Sequence, residues 1–271
     1  MQTRGPSAEA LAALRDRLDT ALADVGTRKA AQVGDDLFSL SVLVRSTPSL
    51  RRVLTDVSVE GSAKASLVSD LFSGKVDALS LDLVADAVSR RWTSTRDLAD
   101  TLERLGEVAV VRSAGDNVDR VVDELFSVTQ AVEGSPDLRN ALSDPVRSVE
   151  DKATLIDGLL GDRALSATVT LAKQSVAGSY RSVAVALAEY QKVAAAIRHE
   201  NVARVRVAHE LTDSDRERLQ AALSRQYGRN VHLNVILEPE LLGGMRVEIG
   251  DDVIDGTVDA RLDEARRKLA G

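Results

Sequence analysis

A chain of 271 residues with 44% hydrophobic content is long enough for two or three ordinary domains and apolar enough to bury real cores. Its net charge of −7, with no basic segment and only one Trp, three Tyr and three Phe, excludes the basic, base-stacking surface of a nucleic-acid binder. The absence of cysteine excludes disulfides and thiolate chemistry, and no run approaches the roughly 18 apolar residues of a membrane span. The opening MQTRGPSAEA has no apolar stretch, so no secretory leader is expected there. Ala, Leu and Val dominate, which favours helices packed through small aliphatic side chains.

Leu11, Leu14, Leu18 and Leu22 recur at helical spacing and predict a first helix that Gly26 ends. Val33, Leu37, Leu40 and Val44 predict a second. Pro48 opens a short third helix by fixing φ in its first turn, with Leu50, Val53 and Leu54 facing inward. Further helices are predicted over 62–73, 78–92 and 95–112, separated by Gly61, by Ser73-Gly74 and by the polar run 93–96. Trp92 follows Arg90-Arg91 at a helix end, where burial against its own bundle is favoured over a partner-facing role.

The chain then repeats itself. A shift of 88 residues lays 33–75 on 121–163 without a gap, DDLFS on DELFS and TPSLRRVLTD on SPDLRNALSD, with Lys64 on Lys152 and Leu71 on Leu159. Fifteen of the 43 positions are identical, against about 3 expected by chance from such a composition. A period this long indicates a duplicated helical bundle rather than a solenoid unit. The second copy predicts helices over 117–133, 136–143, 149–160, 165–178 and 180–199. The segment 95–112 stands where the last helix of one copy and the first of the next coincide, so it is expected to serve both cores.

From about 203 the pattern changes. Val205 and Val207 alternate with Arg204 and Arg206 as a strand; Thr212 and Ser214, with Asp215 and Glu217 three residues on, read as capping boxes for a helix that Gly228 ends. Val231, Leu233, Val235 and Leu237 form a second strand, and Met245, Val247 and Ile249 a third. Gly243-Gly244 permits positive φ or close backbone approach, Val253 and Ile254 make a short apolar pair, Asp255-Gly256 is a turn dipeptide, and Thr257 can cap a last helix carrying Val258, Leu262, Ala265 and Leu269. Arg266-Arg267-Lys268 complements that helix's dipole. The expected fold is mostly α with a small α+β C-terminal domain: two related helical bundles, 1–115 and 116–202, then a β-α-β-β-α unit, 203–271.

Catalytic constellations are weak. His199, His209 and His232 fit no metal spacing, and Glu248, Asp251, Asp252 and Asp255 lack the alternating ligands of a calcium loop, so a solvated turn is the favoured reading and a metal-assisted enzyme the disfavoured one. There is no phosphate-binding G-x-x-x-x-G-K-[ST] loop and no G-x-S-x-G.

The tail, with Leu241-Leu242-Gly243-Gly244, Ile249-Gly250-Asp251, Ile254-Asp255-Gly256 and a terminal amphipathic helix in that order, closely resembles the C-terminal signature of the delta subunit of F-type ATP synthases, the family of the mitochondrial oligomycin-sensitivity-conferring protein. The helices beginning at Pro48 and Pro136, each followed by a lysine and a Leu-rich helix, resemble the middle of that family's helical domain, and the segment from Tyr190 resembles its interdomain stretch. The usual member has one such domain, so this chain looks like an enlarged bacterial form. The resemblance implies a non-enzymatic peripheral-stalk subunit of a proton-translocating ATP synthase, without cofactor or metal, peripheral at the cytoplasmic face of the cell membrane. The implied partners are the N-terminal helix of an alpha subunit on the catalytic head, and a b-type stalk subunit. By analogy, the groove for the alpha helix involves Leu11, Leu14 and Leu18 on one helix and Leu83, Val84 and Ala87 on another. Gly243, Gly244, Gly250, Asp251, Asp255 and Gly256 are the structural turns of the signature. An independent helical scaffold is the competing reading, although it has no use for that tail.

Overall fold

The computed structural model describes residues 4–23, 25–200, 202–228, 231–238, 241, 243–249 and 252–258, excluding the side chains of 199, 200, 202, 204, 232 and 234. The chain divides into two compact units, Met1–Ala195 and Ala196–Gly271.

The first unit opens with α1 (Pro6–Ala23), α2 (Thr27–Ser46), α3 (Pro48–Thr55), α4 (Gly61–Phe72), α5 (Ala78–Ser89) and α6 (Asp97–Arg112). A 3₁₀ turn at Gly115–Asn117 leads to α7 (Val118–Gly134), α8 (Pro136–Ser143), α9 (Val149–Leu160), α10 (Ser166–Ala177) and α11 (Val183–Glu200), which runs on past the unit boundary. At the 88-residue shift α3, α4 and α5 fall on α8, α9 and α10 residue for residue, and the longer helices match to within three residues. Both copies fall in the first unit except for the end of α11.

The repeat preserves a buried device as well as helix lengths. Asp36 on α2 accepts bonds from the Asp77 backbone N–H (2.8 Å) and the Ser80 hydroxyl (2.8 Å) at the start of α5. Its counterpart Glu124 on α7 accepts from the Leu165 N–H (2.9 Å) and the Thr168 hydroxyl (2.5 Å) at the start of α10. A carboxylate from the second helix of each copy thus satisfies orphan donors at the N-terminus of the fifth, where the helix dipole favours negative charge.

α6 belongs to both copies. It packs against α1, α2 and α5 on one side and against α7 and α10 on the other. Twelve of its residues are buried, Leu98, Leu102, Leu105 and Val111 completely or nearly so. Burial this extensive, which takes in Thr101, Glu103 and Glu107, requires cover on more than one side of the helix. Its closest crossing is with α2, where a Cβ on Gly34 would collide with Val110 and one on Gly106 would come within 2.7 Å of the Phe38 ring. Gly106→Ala is therefore expected to displace Phe38 and cost about 1–3 kcal/mol by overpacking, read from chemical denaturation midpoints. The second copy has Ala194 at the position of Gly106, and the counterpart of Phe38, Phe126, is 56% exposed.

The second unit has a mixed sheet in the order β2-β1-β3-β4, formed by β1 (Val202–Val207), β2 (His232–Leu237), β3 (Met245–Ile249) and β4 (Asp252–Asp255). β1 and β2 are parallel and joined through α12 (Asp213–Tyr227), while β3 is antiparallel to β1 and to β4. Ala203, Val205, Val207, Leu223, Val231, Val247 and Ile249 form its core. Thr212 caps α12, accepting from the Asp215 N–H, and Gly228 ends it in the left-handed region at φ 62°.

Three local expectations need correction. Residues 252–255, expected as an apolar pair within a turn, are a fourth strand paired to β3, so the sheet gains an edge strand. Val53 is 44% exposed because the two-turn α3 buries only the side bearing Leu54 and Thr55. The fifth helix stops at Ser89, where Asp86 holds Arg90 (3.0 and 2.9 Å) and the Trp92 indole donates back to the Ala87 carbonyl (3.0 Å). That tuck buries Trp92 within its own bundle, as its placement at a helix end predicts. The last helix lies, beyond Val258, outside the described residues.

Candidate partner-binding groove and the seam between helical copies

α1 and α5 pack side by side, and the Arg17 guanidinium bridges to Asp86 across them at 3.1 Å. Of the six residues placed in this groove by analogy, Leu14, Leu18, Leu83, Val84 and Ala87 are buried at 0–1% exposure and form the core beneath it. Leu11 alone keeps partial exposure. Any ligand lying in the groove meets the outer flank of the two helices, where Ala13, Ala21 and Ala85 are half-buried.

The equivalent groove in the second copy lies between α6 and α10. There α2 of the first copy packs against both helices. A polar chain fastens the three together. Glu103 on α6, 2% exposed, accepts from Arg45 of α2 at 2.6 Å and from Gln174 of α10 at 3.1 Å. Arg45 also reaches Asp100 at 3.1 Å, and the Ser179 N–H donates to Glu103 at 3.0 Å. A Cβ at Gly178 would strike the Glu103 carboxylate, so the loop after α10 can lie this close only with glycine there. Beside it Glu107, 1% exposed, accepts from the Tyr180 hydroxyl at 2.8 Å, and the Tyr180 ring stands edge-on to Tyr190 at 5.7 Å. Burial pushes the Glu107 carboxyl up to about 8, against a smaller lowering by the Tyr180 bond. Sequence reasoning passed over Glu103 and Glu107. With Asp100 and Arg104 they fall at i, i+3, i+4 and i+7, which reads locally as an ordinary solvated stripe, so no local signal marks them as buried.

In the second unit the two signature turns are stapled to each other. Gly243 and Gly244 have φ of 137° and 84°, and a Cβ on Gly244 would collide with the Gly256 carbonyl. The Gly256 N–H donates to Met245 O (2.9 Å) and the Val258 N–H to Gly243 O (3.0 Å). The Thr257 hydroxyl and N–H donate to Asp255 at 2.6 and 3.0 Å, holding its carboxyl below the usual range. The glycine pair and the Asp-Gly turn therefore form one backbone junction. Gly244→Ala is expected to cost about 1–3 kcal/mol from its backbone conformation and the collision, read as a lower unfolding midpoint of the C-terminal unit. Gly250 and Asp251 lie outside the described residues.

The other candidates have ordinary surroundings. Glu248 pairs with Arg246 at 3.2 Å, Asp252 and Asp255 bound β4, and exposed His209 follows β1. Among the described residues no group of three potential ligands could hold a metal ion, and no helix is long and apolar enough to cross a membrane.

Residues 107–269 match the profile of the ATP synthase delta (OSCP) subunit family, so the profile takes in the second helical copy and the C-terminal unit. The chain is 58% identical to the ATP synthase subunit delta of a Nocardioides species over 99% of its own length and 97% of the relative's. It is 44% identical to that of Kineococcus radiotolerans over 98% of each, and 41% identical to that of Streptomyces avermitilis over 100% of each. The first copy, which lies outside the profile apart from the end of α6, is thus shared with these full-length relatives. The chain belongs to the ATP synthase delta (OSCP) subunit family.

Proposed function

We propose that this peripheral-stalk subunit, which carries no catalytic role, grips the N-terminal helix of an alpha subunit in the groove between α1 and α5 and meets a b-type stalk subunit through its C-terminal domain. The bundle 1–115 then faces the catalytic head, 116–202 carries the load onward, and 203–271 joins the stalk. Such a link has to hold the head still against rotor torque, which calls for helix-in-groove interfaces and rigid internal joints. One observation supports the choice of groove. In the second copy α6 and α10 are both packed by α2, a helix of the first copy, whereas the principal contacts of α1 and α5 are all with helices of their own copy.

The full-length match to delta subunits leaves the independent-scaffold reading without support. With no described helix able to span a membrane, association with the cytoplasmic face would come through the complex. Capture of the tagged chain from gently solubilised membranes is expected to recover alpha, beta and b-type subunits. A folded chain that brings down none of them overturns the proposal.

A further inference from the structure

The seam between the two helical copies contains a carboxyl group that the proposed stator contacts leave unused. Glu107 is enclosed by α6, by the loop 178–182 and by α11, and one oxygen accepts from Tyr180 while the other, Oε2, has no partner. The hydroxyl of fully buried Tyr190 is also without one. A cavity of about 270 Å³, lined among others by Glu107, Thr101, Tyr180 and Leu11, lies beside this group.

The surrounding charges are already committed. On α6, Glu103 is held by Arg45 and Gln174, Asp100 by Arg45, and Asp97 by Ser7 and Ser94. Arg104, also on α6, lies 3.9 Å from Glu189 of α11, which pairs in turn with Lys192. Arg45 approaches Glu103 from α2, and Arg4 lines the same cavity as Glu107. An ionised Glu107 would therefore sit buried one turn from the Glu103 carboxyl, with only Arg104, which is shared with Glu189, to offset its charge. A buried charge in that position is costly.

We propose that the joint between the two helical copies is proton-linked: protonated Glu107 holds the loop 178–182 against α6, and loss of its proton to water releases that loop. In the closed joint Tyr180 donates to Oε1 and the proton resides on Oε2. When the loop lifts, water enters through the cavity, the carboxyl is solvated and the proton leaves. The closed form binds the proton more tightly than the open one, so closure is favoured below the ordinary carboxyl range near 4.5. It weakens as pH rises towards about 8 and is level above that. A joint of this kind would stiffen the stalk under acidification and soften it near neutrality.

Hydrogen exchange at 178–182 of the full chain, corrected for the intrinsic pH dependence of exchange, tests this. Between pH 5.5 and 7.5 the opening constant is expected to rise about a hundredfold, ten per pH unit. Glu107→Gln keeps an acceptor for Tyr180 and is expected to stay closed at both pH values. An opening constant in the native chain that does not change with pH, or an equal rise in the variant, overturns the proposal. Should the variant fail to fold, the carboxyl ¹³C shift of Glu107 decides alone. Titration near 8 supports the proton-linked joint, and titration below 5.5 overturns it.

Discussion

Ala13→Glu combined with Ala21→Glu is expected to weaken binding of the alpha N-terminal helix by at least about a hundredfold, near 2.7 kcal/mol, without unfolding the chain. Ala13 and Ala21 lie one turn to either side of Arg17, whose bridge to Asp86 marks the line along which α1 meets α5. Both alanines are half-buried, and small side chains there allow a third helix to approach closely. A glutamate in either place would have to be desolvated on docking, and Asp86 already supplies negative charge to the groove. Glutamate also favours helix nearly as well as alanine, at a few tenths of a kcal/mol, so the bundle should tolerate the change. Calorimetric titration with a peptide of the alpha N-terminus checks the expectation. Ser127→Glu with Gln130→Glu, on the exposed face of α7, serves as control and should leave affinity unchanged. Equal affinity in the groove variant and the control would move the contact away from α1 and α5.

The helices were legible because their signals are local. Apolar residues three and four apart, a proline at the first turn of α3 and of α8, and glycine or Asp-Pro at the breaks set their positions closely. The copy relation extended that reading: α8, α9 and α10 follow once α3, α4 and α5 are placed. β4 carried no such signal, since all four of its residues are exposed and a strand without a buried face does not alternate. For the groove residues, placed there by analogy, the sequence leaves both a partner-facing and a core role open, because leucine stripes have the same spacing in either. Only packing distinguishes the two uses, and it makes five of the six core. Trp92 and Tyr180 occupy one position of the repeat yet bond differently. The indole N–H finds the Ala87 carbonyl inside its own copy, whereas the phenol O–H needs an acceptor and takes Glu107 on the shared helix. Nothing local in the sequence announces that second partner, which depends on α6 standing in both copies.

That sharing leads to a second large effect, on stability. Arg45→Met is expected to cost about 3–5 kcal/mol, because Glu103 would remain buried at 2% exposure with its ion pair gone. Gln174 and the Ser179 N–H would still donate to it, but neither supplies positive charge. Asp100, 17% exposed at its side chain, would also lose its bond to Arg45. If α6 is the common wall of two cores, the damage cannot stay in the copy that contains residue 45. Hydrogen exchange should then accelerate together in α2 of the first copy and in α7 and α10 of the second, and denaturation of Met1–Ala195 should remain one transition shifted to lower denaturant. Two bundles that merely touched would respond differently: α2 would lose protection while α7 and α10 kept theirs, and a second transition would separate. Replacing Glu103 as well, in Arg45→Met with Glu103→Leu, should recover much of the loss, since removing both charges costs less than stranding one of them. Failure of that rescue would mean that Arg45 acts mainly through Asp100 and its own packing, and that the pair with Glu103 is not what ties the copies together.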